Sequence, residues 1–124
     1  MRRGMQKFGS KRTQCKANHF HPSRGEATRC DWLHLMQSSG AIFDLKAQAS
    51  VTIVPGFKYK PDFTYTEMKD GERVLIVEDF KGVVTQRFRD IKRMWPHHGQ
   101  GALRVSRLQG QKFYIEKDIQ GSRK

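Results

Sequence analysis

Two runs rich in β-branched and aromatic residues, Phe63-Thr64-Tyr65-Thr66 and Arg73-Val74-Leu75-Ile76-Val77, are joined through Lys69-Asp70-Gly71-Glu72. Asp-Gly supplies the backbone geometry of a tight turn, so this segment predicts an antiparallel hairpin. A hairpin symmetric about Asp70-Gly71 sets Asp62 opposite Asp79. Directly opposed residues have Cβ atoms about 4.5 to 5.5 Å apart, and like charges there are destabilising unless something neutralises them. Strand alternation puts Lys81 on the face of Asp79, with Glu78 and Phe80 on the other. Val74 to Val77 is continuously apolar, as in a central strand covered on both faces, so a charged cluster at its end is not surface decoration.

Carboxylates gathered with a lysine acquire meaning from the rest of the composition. The 124 residues hold 24 Lys plus Arg against 12 Asp plus Glu, a net charge of +12 that suits a polyanionic partner and exceeds what solubility asks of a small domain. Nucleic acid is the expected partner. The basic residues are spread along the chain with no long apolar run and no signal-peptide pattern, which argues against a membrane and for a soluble, cytoplasmic protein. Cys15 and Cys30 are too few for a disulfide framework and fit free thiols. Their spacing with His19 and His21 does not match zinc-finger ligands.

One domain is expected over residues 19–120, between a basic mobile arm, 1–18, and a basic tail, 121–124. Ser23-Arg24-Gly25-Glu26 has the capping-box form, and a helix is predicted to run to Ser39 with Gly40 as its stop. Ala27, Cys30, Leu33 and Met36 form its apolar stripe, widened by Trp32 and Leu35. Ser50 to Val54 reads as the first strand, ended by Pro55-Gly56. A second helix is predicted from Thr85, with Phe88, Ile91 and Trp95 on one face and Pro96 as its end. Strands are expected from Ala102 to Leu108 and from Lys112 to Glu116, around Gln109-Gly110-Gln111.

A glutamate in Ser23-Arg24-Gly25-Glu26-Ala27, then Pro61-Asp62, then Asp79-Phe80-Lys81 resembles the PD-(D/E)xK nuclease superfamily, which includes restriction enzymes and Holliday-junction resolvases. Lys7-Phe8-Gly9-Ser10-Lys11, Ser39-Gly40-Ala41-Ile42-Phe43-Asp44-Leu45, Gln48, Pro55-Gly56-Phe57-Lys58-Tyr59 and Val77-Glu78-Asp79-Phe80-Lys81-Gly82 are similar to a phage-associated branch of small proteins within it. The resemblance implies an α/β fold with a restriction-endonuclease-like core: a central mixed sheet of four to five strands flanked by two main helices, in αβββαβ order. It also implies Mg²⁺-dependent endonucleolytic hydrolysis of DNA, with Mn²⁺ able to substitute, inside a bacterial host cell if the chain is phage or prophage encoded. No small-molecule cofactor is expected.

The residues give the same chemistry. Mg²⁺ takes oxygen ligands and keeps several waters, so Asp62 and Asp79 with a substrate phosphate form a reasonable set. Lys81 is then expected to position the attacking water or stabilise transition-state charge. By family analogy the Phe80 carbonyl joins the ligands, Glu26 reaches the metal directly or through water, and Gln48 is a weaker candidate. Glu78 is the reserve ligand, should a bulge swap it with its neighbour. Lys7, Lys11, Arg12, Arg24, Arg87, Arg89, Lys92 and Arg93 are the expected phosphate contacts, which set affinity without reading sequence. Recognition would then be of duplex or branched DNA by shape, and a homodimer would place two sites on paired strands.

Each assignment has a plainer competitor. Asp62 suits a turn, Asp79 and Lys81 suit a same-face ion pair, and the capping box accounts for Glu26. At the level of function the competitors are a non-catalytic basic nucleic-acid-binding protein on a nuclease-like fold and a ribosomal or RNA-chaperone-like protein.

Overall fold

A computed structural model of the chain describes residues 13–15, 20–21, 24–81 and 84–123. A mixed five-stranded sheet forms the centre, and two helices accompany it. In chain order the elements are β1 (Thr13–Gln14), β2 (Phe20–His21), α1 (Arg24–Ser38), β3 (Ile42–Ala47), β4 (Val51–Val54), β5 (Phe57–Tyr59), β6 (Phe63–Lys69), β7 (Glu72–Phe80), α2 (Gln86–His98), β8 (Ala102–Gln109) and β9 (Lys112–Gln120). The central sheet runs β3-β6-β7-β8-β9, while β1-β2 and β4-β5 are separate two-stranded pairs. Among the described residues no helix is long and apolar enough to cross a membrane.

The β6-β7 hairpin has the register that symmetry about Asp70-Gly71 predicts, from Lys69 opposite Glu72 to Phe63 opposite Glu78. Asp70 and Gly71 both take positive φ, 52° and 81°, which is why this dipeptide turns so tightly. The chain then passes through α2 to β8, which pairs with β7 in parallel. This crossover buries β7 on both faces, accounting for its apolar run. Ile76, Phe63, Tyr65, Cys30 and Leu33 close one core layer, beneath α1. Val77, Val105, Phe88, Ile91 and Trp95 close the other, beneath α2.

Four elements depart from expectation. Residues 42–47 form a strand of the central sheet, hidden in the sequence because Asp44 sits at φ 55° within a register shift that interrupts the alternation. The expected first strand, Val51–Val54, lies outside the central sheet and pairs instead with Phe57–Tyr59 across the Pro55-Gly56 turn. On α1, Trp32 and Leu35 do not widen the buried stripe: they are 51% and 58% exposed, and Glu26 and Arg29 are buried in their place. Pro96 does not end α2, which runs on to His98. Within the last turn the missing N–H removes only one ladder bond, and Gly99 closes the helix by donating to the Trp95 carbonyl at 2.8 Å.

The ends also differ. β1, in the stretch expected to be an arm, pairs with β2, and Cys15 beside it is buried against the core that holds Cys30. The two cysteines are thiols and not a disulfide, and burial pushes the Cys30 thiol up in pKa. Within the expected tail, Arg123 is fixed: its backbone donates to the Gly99 carbonyl and its guanidinium to the carbonyls of His98 and Thr52.

Candidate active site

The sheet ends where β6 begins and β7 stops, and this rim carries the acidic residues. The Asp62 N–H donates to Asp79 Oδ1 at 3.1 Å, and the Phe80 N–H donates to Asp62 Oδ2 at 2.8 Å. Each carboxylate therefore binds backbone on the opposite strand, extending the hairpin register one step past its last ladder pair. Asp79 is buried, and its second oxygen accepts from the Tyr59 hydroxyl and faces Lys81 Nζ at 3.5 Å. Lys81 in turn lies 4.2 Å from the centre of the Phe88 ring, so its ammonium is held between the carboxylate and an aromatic face.

Glu26 arrives from the first turn of α1 and is 4% exposed. Gly25 makes this approach possible, because a Cβ there would stand 2.7 Å from the Phe80 ring. The Glu26 carboxyl lies near enough to that of Asp62 for their charges to interact, and its Oε2 accepts from Gln48 Nε2 at 3.3 Å. Gln48 itself occupies a left-handed conformation, φ 58°, and its N–H donates to the Asp62 carbonyl at 2.9 Å. Glu26, Gln48, Asp62, Asp79, Phe80 and Lys81 thus come together. A cleft of about 320 Å³ opens beside Asp62, Asp79 and Lys81, lined also by Lys58, Tyr59, Lys60, Thr85 and Arg87.

Glu78 lies on the opposite face, wholly buried and bonded to Arg29, Tyr65 and Ser106. It is not part of this cluster, as alternation predicts. Lys7, Lys11 and Arg12 fall outside the described residues. Arg24 is exposed at the start of α1, and Arg87, Arg89 and Arg93 are exposed along α2, with Lys92 half-buried against Phe88. Arg87 lies over the Phe57 ring at 4.7 Å and donates to the Lys58 carbonyl at 2.6 Å, strapping the β4-β5 hairpin to α2.

Sequence reasoning missed Tyr59 and the partners of Glu78. The Pro55-Gly56 turn between Val51–Val54 and Phe57–Tyr59 is itself a hairpin signal, and it is what brings Tyr59 over the site.

The electrostatics are those of crowded acid. Burial, reinforced by the neighbouring Glu26 charge, pushes the Asp62 carboxyl up to about 7. Burial likewise raises Asp79 to about 6 against the pull of Lys81, and raises Glu26 as well. Among the described residues no group of three or more His, Cys, Asp or Glu side chains is arranged to hold a metal ion. The donor chemistry at the rim nonetheless fits a hard cation. With Glu26, Asp62 and Asp79 ionised, three carboxylates and the one Lys81 ammonium sum to −2, and a divalent ion would neutralise that charge through oxygen ligands alone.

These shifts make stability fall as pH rises. A carboxyl whose folded pKa lies above its unfolded value, here 3.8 for both aspartates, binds its proton more tightly when folded. The stabilisation is complete below pH 3.8 and is lost as the pH passes through about 6 and about 7. Urea denaturation in EDTA is expected to show a loss on the order of 5 kcal/mol between pH 4.5 and 8 from this site. Asp62→Asn should flatten that slope, and an unchanged slope would refute the assigned crowding.

Comparison with protein-family models, with curated proteins and with solved structures finds no match.

Proposed function

We propose that this protein is a Mg²⁺-dependent endodeoxyribonuclease built on a restriction-endonuclease-like core and selective for DNA structure, branched substrates above all. The reciprocal placement of Asp62 and Asp79, with Glu26 and Lys81 against them, carries the reading. Asp62, Asp79 and Glu26 would hold the ion, together with the Phe80 carbonyl. When bound, the cation supplies positive charge to the scissile phosphate and acidifies attacking water.

The chain's own residues do the rest. Lys81, fixed between Asp79 and the Phe88 ring, presents its ammonium toward the cleft, where it orients water or offsets charge developing on the phosphate. Gln48 holds Glu26 from one side and the Asp62 backbone from the other, limiting their motion. Lys58, Lys60 and Arg87 around the cleft place positive charge where the flanking phosphates would lie.

Incubating the protein with plasmid and with four-way-junction DNA tests the reading. Cleavage with Mg²⁺ or Mn²⁺, abolished by EDTA, is the expected result. A non-catalytic nucleic-acid-binding protein is the second reading, favoured because the backbone bonds of Asp62 and Asp79 by themselves suffice to lock the end of a hairpin. It predicts binding without cleavage under every metal condition.

Arg89 and Arg93 are exposed on α2, and Arg93 makes a loose 3.9 Å pair with Asp90. Converting both to alanine should weaken binding to all DNA sequences alike. It should also lower the slope of log affinity against log salt by about 1 per lost phosphate contact. Fluorescence anisotropy between 50 and 200 mM salt measures this, and an unchanged slope would place the DNA elsewhere.

A further inference from the structure

We propose that Tyr59 is a positioning residue for Asp79, fixing the carboxylate in the orientation that receives a divalent cation; this rests on the metal-dependent reading above. The Asp79 carboxylate is held at both ends. Oδ1 accepts from the Asp62 N–H at 3.1 Å, and Oδ2 accepts from the Tyr59 hydroxyl. Donors at the two oxygens fix the plane of the carboxyl group, which one donor alone would leave free to turn. Each carboxylate oxygen has two lone pairs, so these bonds leave acceptor capacity for a cation.

Tyr59 is suited to this task because it is itself immobile. Its residue is 5% exposed, and its ring packs edge-on against Trp95 with centroids 6.4 Å apart. Trp95 is 1% exposed and tied through Nε1 to the Gly101 carbonyl at 3.2 Å. From the other side, Val51 pairs with Tyr59, and Arg87 clamps the adjoining Lys58 carbonyl. A rigid path therefore leads from the α2 core to one oxygen of Asp79. Lys81 approaches the same oxygen at 3.5 Å, too far for a strong charge-assisted hydrogen bond. The β4-β5 hairpin stands apart from the central sheet, and holding this tyrosine over the site gives it a purpose.

Outer partners that orient a ligand are worth about 10- to 100-fold in metal affinity or activity. Tyr59→Phe removes the hydroxyl and keeps the ring on Trp95, so the melting temperature should barely move. Titration of the DNA-free protein with Mn²⁺, followed by electron paramagnetic resonance, should show affinity weakened about tenfold or more. In cleavage assays at saturating DNA, kcat should fall by a similar factor with KM unchanged. Equal or tighter Mn²⁺ binding by Tyr59→Phe, with the wild type binding normally, would overturn the positioning role and leave the nuclease reading standing. A wild-type protein that binds no Mn²⁺ and cuts no DNA would overturn both.

Discussion

Replacing Asp79 with alanine should lower the proposed metal-dependent cleavage at least about a thousandfold, because ion-mediated charge stabilisation is worth several kcal/mol and each 1.36 kcal/mol is a factor of ten. Asp79 joins three partners at the rim: it accepts from the Asp62 backbone and from Tyr59, and faces Lys81. DNA binding measured in EDTA should persist or strengthen, since a carboxylate that repels phosphate has gone. Asp79→Asn separates chemistry from architecture. The amide keeps the shape and an oxygen for the Asp62 N–H, so folding should survive, and stability above pH 7 should rise as crowding with burial is relieved. Cleavage should be lost in Asp79→Asn as fully as in Asp79→Ala. If both variants cut DNA at the wild-type rate, the two aspartates are only a hairpin lock.

The site was legible where one local rule fixed it. Asp70-Gly71 dictates the turn, the turn dictates the register, and the register brings Asp62 to Asp79 with Lys81 on the same side and Glu78 away from it. The α2 stripe of Phe88, Ile91 and Trp95 was equally plain, since a 3.6-residue period needs no tertiary context. What escaped depends on distant partners. Ile42–Ala47 belongs to the sheet only because β6 pairs with it across an irregularity at Asp44. Trp32 and Leu35 looked like core, whereas the buried face of α1 instead turns Glu26 toward Asp62 and Arg29 toward Glu78. Tyr59 was invisible because its role needs a hairpin, a helix and a strand end placed together.

Glu78→Ala should be among the most destabilising single substitutions in the molecule, at about 3 to 5 kcal/mol. The carboxylate is 0% exposed and fully used. Arg29 Nε and Nη2 reach its two oxygens at 2.7 and 3.0 Å, Tyr65 donates at 2.5 Å and Ser106 at 2.6 Å. Removing it leaves the Arg29 guanidinium, itself 6% exposed, buried without its counter-charge. Tyr65 keeps the weaker contact with Arg104 Nη1 at 3.3 Å. Urea midpoints should fall with little change in slope, and the melting temperature should drop by roughly 10 °C or more. The energy lies chiefly in the stranded arginine, so the double replacement Arg29→Met with Glu78→Met should recover much of the loss. Glu78 also provides a control for the neighbouring chemistry. It adjoins Asp79 in sequence but faces the other side of the sheet, so the double variant should still bind Mn²⁺ with close to wild-type affinity. A double variant no more stable than Glu78→Ala would place the cost in the hydroxyls of Tyr65 and Ser106 rather than in the unpaired charge.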